Sequence, residues 1–174
     1  DADRAVHRLL APGGAAVGRA AAAFPGVEDA AGGIDRRRLG ARVFGDRAAL
    51  ARLEAILHPL VAAEEKRFLA YARRRRDPIV VLDVPLLFES GGARRCDYVL
   101  VVSAPLFLQR QRVLRRPGMT EARFAAIRGQ QMPDREKRRR ADFVVPTGLG
   151  RNLTLRRLKA VLRILRDRHS RRAE

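Results

Sequence analysis

The sequence contains a single cysteine, Cys96, and no tryptophan, and only 5% of its residues are aromatic. One cysteine cannot form an internal disulfide, which excludes a disulfide-stapled secreted scaffold and makes a reducing cytoplasm the expected compartment. No apolar run approaches the roughly 20 residues that a membrane-spanning helix needs, so we expect no membrane partner. The scarcity of aromatic side chains also leaves little with which to stack the bases of a single-stranded nucleic acid.

Lysine is scarce although the chain is strongly basic. The net charge is +18, and of the 37 basic residues only Lys66, Lys137 and Lys159 are lysine. An arginine-rich surface attracts polyanions, either nucleic acid or phosphorylated small molecules. We interpret most of these arginines as solvated helix faces. The sequence also lacks any cluster of histidine, cysteine and acidic residues with metal-ligand spacing.

The strongest pattern in the chain runs from Ile79 to Glu89. Residues 79–84 are mostly β-branched and nearly all apolar, which predicts a strand buried on both faces of a parallel sheet. Pro85 lacks a backbone donor and should end that strand. The residues that follow then lie at the carboxyl end of the sheet, where open α/β folds bind ligands. In the alternative interpretation, Asp83 and Glu89 are only a strand-end cap and a helix-start acid.

Strand-like and helix-like patterns alternate along the rest of the chain. Residues 98–102 and 142–145 predict two further buried strands, whereas residues 11–76 predict only helices and turns. Helices are predicted at about 4–10, 15–24, 36–44, 47–57, 59–72, 105–116, 120–131, 133–140 and 153–169. These patterns predict one α/β domain built on a parallel sheet.

Two short stretches carry polar groups that suit either packing or function. His58 precedes a proline, which predicts a break between two helices because a residue before proline is pushed out of helical geometry. A histidine at such a break is more often a packing residue than a functional one. Asp1 and Asp3 precede a helical stripe; Asp3 suits a helix cap, and two such acids also suit a base or a metal site. Capping is the favoured interpretation from these residues alone.

Four landmarks together resemble the dephospho-CoA kinase family. They are Asp1-Ala2-Asp3, Leu57-His58-Pro59-Leu60, Val84-Pro85-Leu86-Leu87-Phe88-Glu89, and Gln131-Met132-Pro133 through Lys137 to Arg140-Ala141-Asp142. The resemblance implies a P-loop kinase that uses ATP and Mg²⁺ to phosphorylate the ribose 3′-hydroxyl of dephospho-CoA, the last step of CoA biosynthesis. It implies one domain over residues 1–174, with a parallel-sheet core, a helical substrate region and a lid. The implied regions are 11–76 for CoA binding, 79–105 for core strands, 106–140 for the lid, and 141–174 for a core strand and the last helix.

The resemblance also implies site residues, motif by motif. Asp3 falls on the carboxylate proposed as the catalytic base, a role that suits a group able to accept the proton of a hydroxyl nucleophile. The implied substrate-binding residues are Asp1, Arg42, His58, Pro85, Leu86 and Leu87. The implied nucleotide-binding residues are Arg112, Arg116, Gln131 and Arg140. Arginines and Mg²⁺ can stabilise the charge that spreads over a transferring phosphoryl group.

One family feature is absent from the sequence: no G-x-x-x-x-G-K-[ST] motif occurs. In the family this P-loop lies about thirty residues before the Asp-x-Asp, so we expect it upstream of residue 1, with the first strand and the main protein ligands of Mg²⁺. The chain is then either part of an active kinase, which we favour, or inactive as it stands. Two alternatives are another nucleoside or nucleotide kinase of this fold and a basic, non-catalytic nucleic-acid-binding module. Scattered arginines and the lack of a reader motif argue against the second.

Overall fold

A computed structural model describes the backbone of residues 1–173 and the side chains of residues 1–168. The chain divides into two compact units, Asp1–Pro85 and Leu86–Glu174, and each is described by itself. Within the described residues, no helix combines the length and the apolar character needed to cross a membrane. The single domain and its internal regions stay predictions.

The first unit contains four helices around one apolar core. They are α1 (Ala2–Leu10), α2 (Val17–Ala23), α3 (Arg36–Val43) and α4 (Arg47–Arg74). The other three helices pack against α4. The core consists of Leu9, Leu10, Ala16, Ala20, Phe24, Val27, Ile34, Leu39, Ala49, Leu53 and Leu57. Burying each of the larger apolar side chains is worth about 1.5–3 kcal/mol, so this cluster is what stabilises the unit.

Aspartates begin three of these helices. The Asp1 carboxylate accepts the Arg4 N–H at 2.9 Å at the start of α1, and Asp46 accepts two N–H groups at the start of α4. At α3 the cap is Asp35, and the hydrogen bond from the Arg38 N–H is the largest influence lowering its pKa. The predicted cap at Asp3 is therefore wrong: because α1 begins at Ala2, Asp1 is the cap and Asp3 lies within the first turn.

The predicted break at His58 and Pro59 is also wrong, because α4 runs as one helix through Pro59. A proline inside a helix has no N–H to donate to the carbonyl four residues earlier, here that of Ala55. The packing of α1, α2 and α3 against α4 is the physical reason that this local preference is overridden.

We expect Pro59→Ala to stabilise α4. Proline is about 3 kcal/mol less favourable than alanine inside a helix. Proline also reduces the conformational entropy of the unfolded chain, which stabilises the folded state by about 1 kcal/mol and is lost in the alanine variant. The free energy of unfolding should therefore rise by about 2 kcal/mol, measured by urea denaturation. Pro25→Ala, in the turn after α2, is the control and should give no such gain. An unchanged midpoint for Pro59→Ala would contradict the prediction.

The predicted strand over residues 79–84 is wrong in this structure. The segment has no strand assignment, and Val81 is 71% exposed rather than buried on both faces. Its backbone contacts α1 instead, where the Ala2 N–H donates to the Asp83 carbonyl at 2.9 Å. Branched apolar residues favour extended backbone, but a strand also needs a hydrogen-bonded neighbouring strand, and among the described residues none pairs with this segment.

The second unit is built on a two-stranded parallel sheet. β1 (Leu100–Ser103) pairs with β2 (Phe143–Pro146), with Val101 opposite Val144, so the strands predicted near 98–102 and 142–145 are confirmed. A 3-10 helix (Gly92–Arg95) precedes β1. The helices are α5 (Leu106–Leu114), α6 (Glu121–Gly129), α7 (Asp134–Arg140) and α8 (Arg151–Ala173). Of these, α7 packs on β1 and α8 packs on β2.

Candidate active site

Asp3 presents a free carboxylate in the first unit. Its side chain is exposed in the first turn of α1, and it makes no hydrogen bond or ion pair with any residue that the structure describes. The bond from the Ala2 N–H to the Asp83 carbonyl ties this turn to the segment that leads to Pro85. The carboxylate is therefore held on a fixed turn but is available to a ligand.

Asp1 lies on the same turn, but its carboxylate is occupied. It accepts the Arg4 N–H and thereby satisfies one of the unpaired donors at the helix start. The structure thus separates the two acids: one holds the turn, and the other is open to solvent.

Arg42 and His58 are exposed on two helices of the first unit that pack together. Arg42 lies in the last turn of α3, and His58 lies midway along α4. Neither side chain has a hydrogen-bond or ion-pair partner within residues 1–168. The interpretation of His58 as a packing residue is wrong, because its side chain is exposed on the surface of a continuous helix.

The Pro85-Leu86-Leu87 stretch falls at the boundary between the units, and its residues differ in exposure. Pro85 is exposed at the end of the first unit. In the second unit Leu86 is 41% exposed, whereas Leu87 is half-buried and its side chain lies against Gly92. A Cβ on Gly92 would lie 2.8 Å from Leu87 Cδ1, so glycine is what permits this contact.

Three of the four predicted nucleotide residues line one open cavity of about 1520 Å³ in the second unit. Arg112 and Arg116 lie on one part of its wall, and Gln131 lies on another. The wall also includes Ser103, Gln109, Phe124, Arg128, Met132, Asp134, Lys137, Thr147 and Gly148. The cavity therefore adjoins the carboxyl ends of both parallel strands, the edge where α/β sheets bind ligands.

Arg112 and Arg116 differ in how they are held. The Arg112 guanidinium donates to the Thr147 carbonyl at 2.8 Å and to its hydroxyl at 3.4 Å. Arg116 lies beyond α5, which ends at Leu114 rather than near 116 as predicted. Its side chain is exposed and has no partner within residues 1–168. A guanidinium has five N–H donors, so both arginines retain donors for an anion.

Arg140 is not brought to this cavity. It lies at the end of α7, where its guanidinium pairs with Glu136 one turn earlier on the same helix, and it is not among the residues that line the cavity wall. An exposed ion pair of this kind contributes little to stability. The Arg140 guanidinium can therefore leave Glu136 and bind another anion at little cost.

Sequence reasoning missed a contact between Glu89 and two residues of the cavity wall. Glu89 accepts the Met132 N–H at 2.7 Å and pairs with the Lys137 ammonium at 2.9 Å. Burial is the largest influence on the pKa of Glu89 and raises it, but the hydrogen bonds from Lys137 and Met132 outweigh burial and leave the pKa below its ordinary value. The interpretation of Glu89 as a helix-start acid is wrong, because no helix begins there. The signal available was that Glu89 and Lys137 both lie in the landmark motifs.

At the start of α7, hydrogen bonds connect the two strands to the cavity wall. The Ser103 hydroxyl donates to Asp134 at 2.9 Å, and the Thr147 N–H donates to the Ser103 carbonyl at 2.8 Å. Arg112, α7 and the loop after β2 are thus connected through the end of β1. Within the described part of the chain, no group of three or more histidine, cysteine or acidic residues is placed to hold a metal ion.

A family model described as dephospho-CoA kinase matches residues 1–149. The dephospho-CoA kinase of Rhodospirillum rubrum is 60% identical over 167 residues, which cover 96% of this chain and 79% of the relative. That of Paramagnetospirillum magneticum is 61% identical over 166 residues, which cover 95% of this chain and 78% of the relative.

Two solved structures have a similar fold. The crystal structure of TT1252 from Thermus thermophilus gives a TM-score of 0.66 at 38% identity and covers 87% of this chain and 81% of its own. Dephospho-CoA kinase from Campylobacter jejuni gives 0.67 at 24% identity, with coverages of 96% and 84%, and supports the fold alone. The predicted α/β class with a parallel sheet is confirmed. With 149 of 174 residues matched by the family model, the chain belongs to the dephospho-CoA kinase family.

Proposed function

We propose that the protein transfers the γ-phosphoryl group of ATP to the ribose 3′-hydroxyl of dephospho-CoA, giving CoA and ADP. The observation that carries this proposal is the family match over residues 1–149, a range that contains every proposed site residue. In the reaction the hydroxyl oxygen forms a bond to the γ-phosphorus while the bond from that phosphorus to the β–γ bridging oxygen breaks. The bridging oxygen leaves with ADP, and the hydroxyl proton must be accepted by a base.

Asp3 is the proposed base. Its carboxylate is exposed and has no competing partner within residues 1–168, so it can accept the 3′-hydroxyl as a hydrogen-bond donor and then take its proton. Asp1 supports the same turn through its bond to the Arg4 N–H, which makes its part in substrate binding one of orientation. Because this bond orders the start of α1 in the free protein, substrate binding does not have to order it.

The other residues proposed to bind dephospho-CoA differ in their chemistry. The Arg42 guanidinium suits the diphosphate of dephospho-CoA, because its planar donors match phosphate oxygens. His58 offers ring nitrogens from an exposed helix face. Pro85, Leu86 and Leu87 offer apolar contacts to the less polar parts of the substrate.

The nucleotide is proposed to bind through Arg112, Arg116, Gln131 and Arg140. The first three line the cavity of the second unit, and guanidinium groups there would bind the phosphate oxygens. Mg²⁺, when bound, would neutralise charge on those oxygens; it commonly keeps several waters and is held by phosphates with one or two carboxylates. The described residues do not form a set of metal ligands, and no residue of this chain is assigned that role.

The test is product analysis with the protein expressed from the whole open reading frame that contains this chain. CoA and ADP should form in equal amounts from dephospho-CoA and ATP, measured by chromatography. Nucleosides and nucleoside monophosphates serve as competing acceptors, and faster phosphorylation of one of them would replace this proposal with another kinase of the same fold. Binding to duplex DNA that weakens steeply with salt, without formation of ADP, would favour the nucleic-acid-binding alternative.

A further inference from the structure

The Glu89 carboxylate contacts two residues of one cavity wall. One of its oxygens, Oε1, receives both the Met132 N–H and the Lys137 ammonium. Met132 and Lys137 line the cavity, whereas Glu89 does not. The side chains of Lys137 and Glu89 are 17% and 19% exposed, although Glu89 as a whole residue is exposed.

The two contacts bracket the start of α7. Met132 precedes Pro133, which has no N–H to donate and provides no side-chain cap for the helix. Lys137 lies about one turn into α7. A single carboxylate oxygen of Glu89 therefore holds Met132, just before α7, and Lys137, in its first turn, at a fixed distance from each other. The contact from Ser103 to Asp134 holds the same turn from the β1 side.

Gln131 depends on this arrangement for its position. It is exposed, lines the cavity, and is adjacent in the chain to Met132. If the Met132 N–H lost its acceptor, Gln131 would keep its own N–H bond to the Arg128 carbonyl at 3.1 Å but lose the adjacent bond that holds the chain to Glu89. The Lys137 ammonium would at the same time lose the acceptor that holds it at the cavity wall.

We propose that Glu89 is a positioning residue for the nucleotide cavity, which it shapes by holding Met132 and Lys137 through one carboxylate oxygen. This inference rests on the proposed function in assigning ATP to that cavity. The position of the acceptor oxygen is what matters in this arrangement, more than the charge of the side chain. The ion pair alone is weak evidence for stability, whereas two donors converging on one atom define a geometry.

Three variants separate position from charge. Glu89→Gln keeps an oxygen at the same reach and loses the charge, Glu89→Asp keeps the charge and loses the reach, and Glu89→Ala loses both. We expect the Ala and Asp variants to weaken ATP binding about ten-fold or more, because the Met132 N–H and the Lys137 ammonium would lose their shared acceptor and a hydrogen bond to a charged group is worth about 1.5–3 kcal/mol. The Gln variant should remain within about three-fold of the wild type. Glu64→Ala, which removes the partner of Arg8 in the first unit, is the matched control and should leave ATP binding unchanged.

The measurement is the Kd for ATP by calorimetry with no acceptor present, together with the KM for each substrate and the Tm. The experiment uses the protein expressed from the whole open reading frame. The KM for ATP should follow the Kd, while the KM for dephospho-CoA stays within about two-fold. A wild-type-like Asp variant with an impaired Gln variant would overturn the proposal in favour of charge alone. Equal loss of Tm in all three variants without a change in Kd would reduce Glu89 to a structural role.

Three further outcomes are informative, and the first keeps the two proposals distinguishable. If the wild type binds ATP but phosphorylates no dephospho-CoA, the proposed function fails, while the Kd series for ATP still decides the role of Glu89. If Glu89→Ala does not fold, the comparison of Gln with Asp decides it alone. ATP binding that is unchanged in the Asp variant as well as in the Gln variant would overturn the proposal.

Discussion

Replacing Asp3 by asparagine is expected to lower kcat by roughly 10²–10⁴-fold, the usual contribution of a positioned general base. Asparagine keeps the shape and hydrogen-bonding capacity of the side chain but cannot take the proton of the 3′-hydroxyl. The structure sharpens this test, because the cap of α1 is Asp1 and not Asp3. Loss of the cap therefore cannot explain a slow Asp3→Asn enzyme.

The stability of the Asp3→Asn variant should change little. A carboxylate in the first helical turn gains about 0.3–1 kcal/mol from the helix dipole, and asparagine loses only that. Asp46→Asn is the matched control: it removes a carboxylate that caps α4, and asparagine caps about as well as aspartate. Its kcat should remain that of the wild type. The measurement is kcat with saturating substrates, and thermal melts of the wild type and both variants serve as the stability control. The protein used is the product of the whole open reading frame, because residues 1–174 contain no P-loop motif. Turnover of Asp3→Asn near the wild-type value would remove Asp3 from the mechanism.

Local signals predicted most of the secondary structure of the second unit. Thr120 followed by Glu121 predicts a helix start, and in the structure the Thr120 hydroxyl accepts the Arg123 N–H at 3.2 Å at the start of α6. Pro117 and Gly118 predict the end of the preceding helix near residue 116, and in the structure that helix ends at Leu114. Such signals act within a few residues, so they can be recognised in a single sequence.

The failures in the first unit arise where packing decides between local alternatives. Pro59 predicts a break, yet three helices pack against α4 and it remains continuous. Residues 79–84 have the composition of a buried strand, but a strand is defined by its neighbour as well as by its own residues. Whether Asp1 or Asp3 begins α1 depends on a difference of two residues, which propensity does not resolve.

The residues of the candidate site were predictable only through the family resemblance. The resemblance assigned Arg112, Arg116 and Gln131 to nucleotide binding, and the structure puts them on one cavity wall; their role stays a prediction. The contact of Glu89 with Met132 joins residues 43 positions apart in the chain. No local pattern specifies such a pair, because hydrophobic period and turn chemistry describe neighbours in sequence. A carboxylate and an ammonium in two separate motifs gave the only hint.

Arg116→Ala is expected to lower kcat/KM for ATP by roughly 10- to 100-fold, since a hydrogen bond to a charged group is worth about 1.5–3 kcal/mol. Its guanidinium is exposed at the cavity and has no partner within residues 1–168, so the loss reports directly on the nucleotide. Arg112→Ala should cost at least as much, because it also releases the loop held through Thr147. The two losses should differ in one respect: only Arg112→Ala should also lower the Tm.

The control is Arg163→Ala, on the exposed side of α8 and outside the cavity wall. It removes the same charge from a chain with a net charge of +18, so a general effect of the basic surface on a charged substrate would appear there too. Arg116→Lys adds a second comparison, since lysine keeps the charge but lacks the planar fork that binds two phosphate oxygens. If Arg116 binds phosphate through that fork, lysine should recover only part of the activity. Small and equal effects of Arg112→Ala, Arg116→Ala and Arg163→Ala would mean that the cavity arginines are only solvated charges, which contribute little wherever they lie.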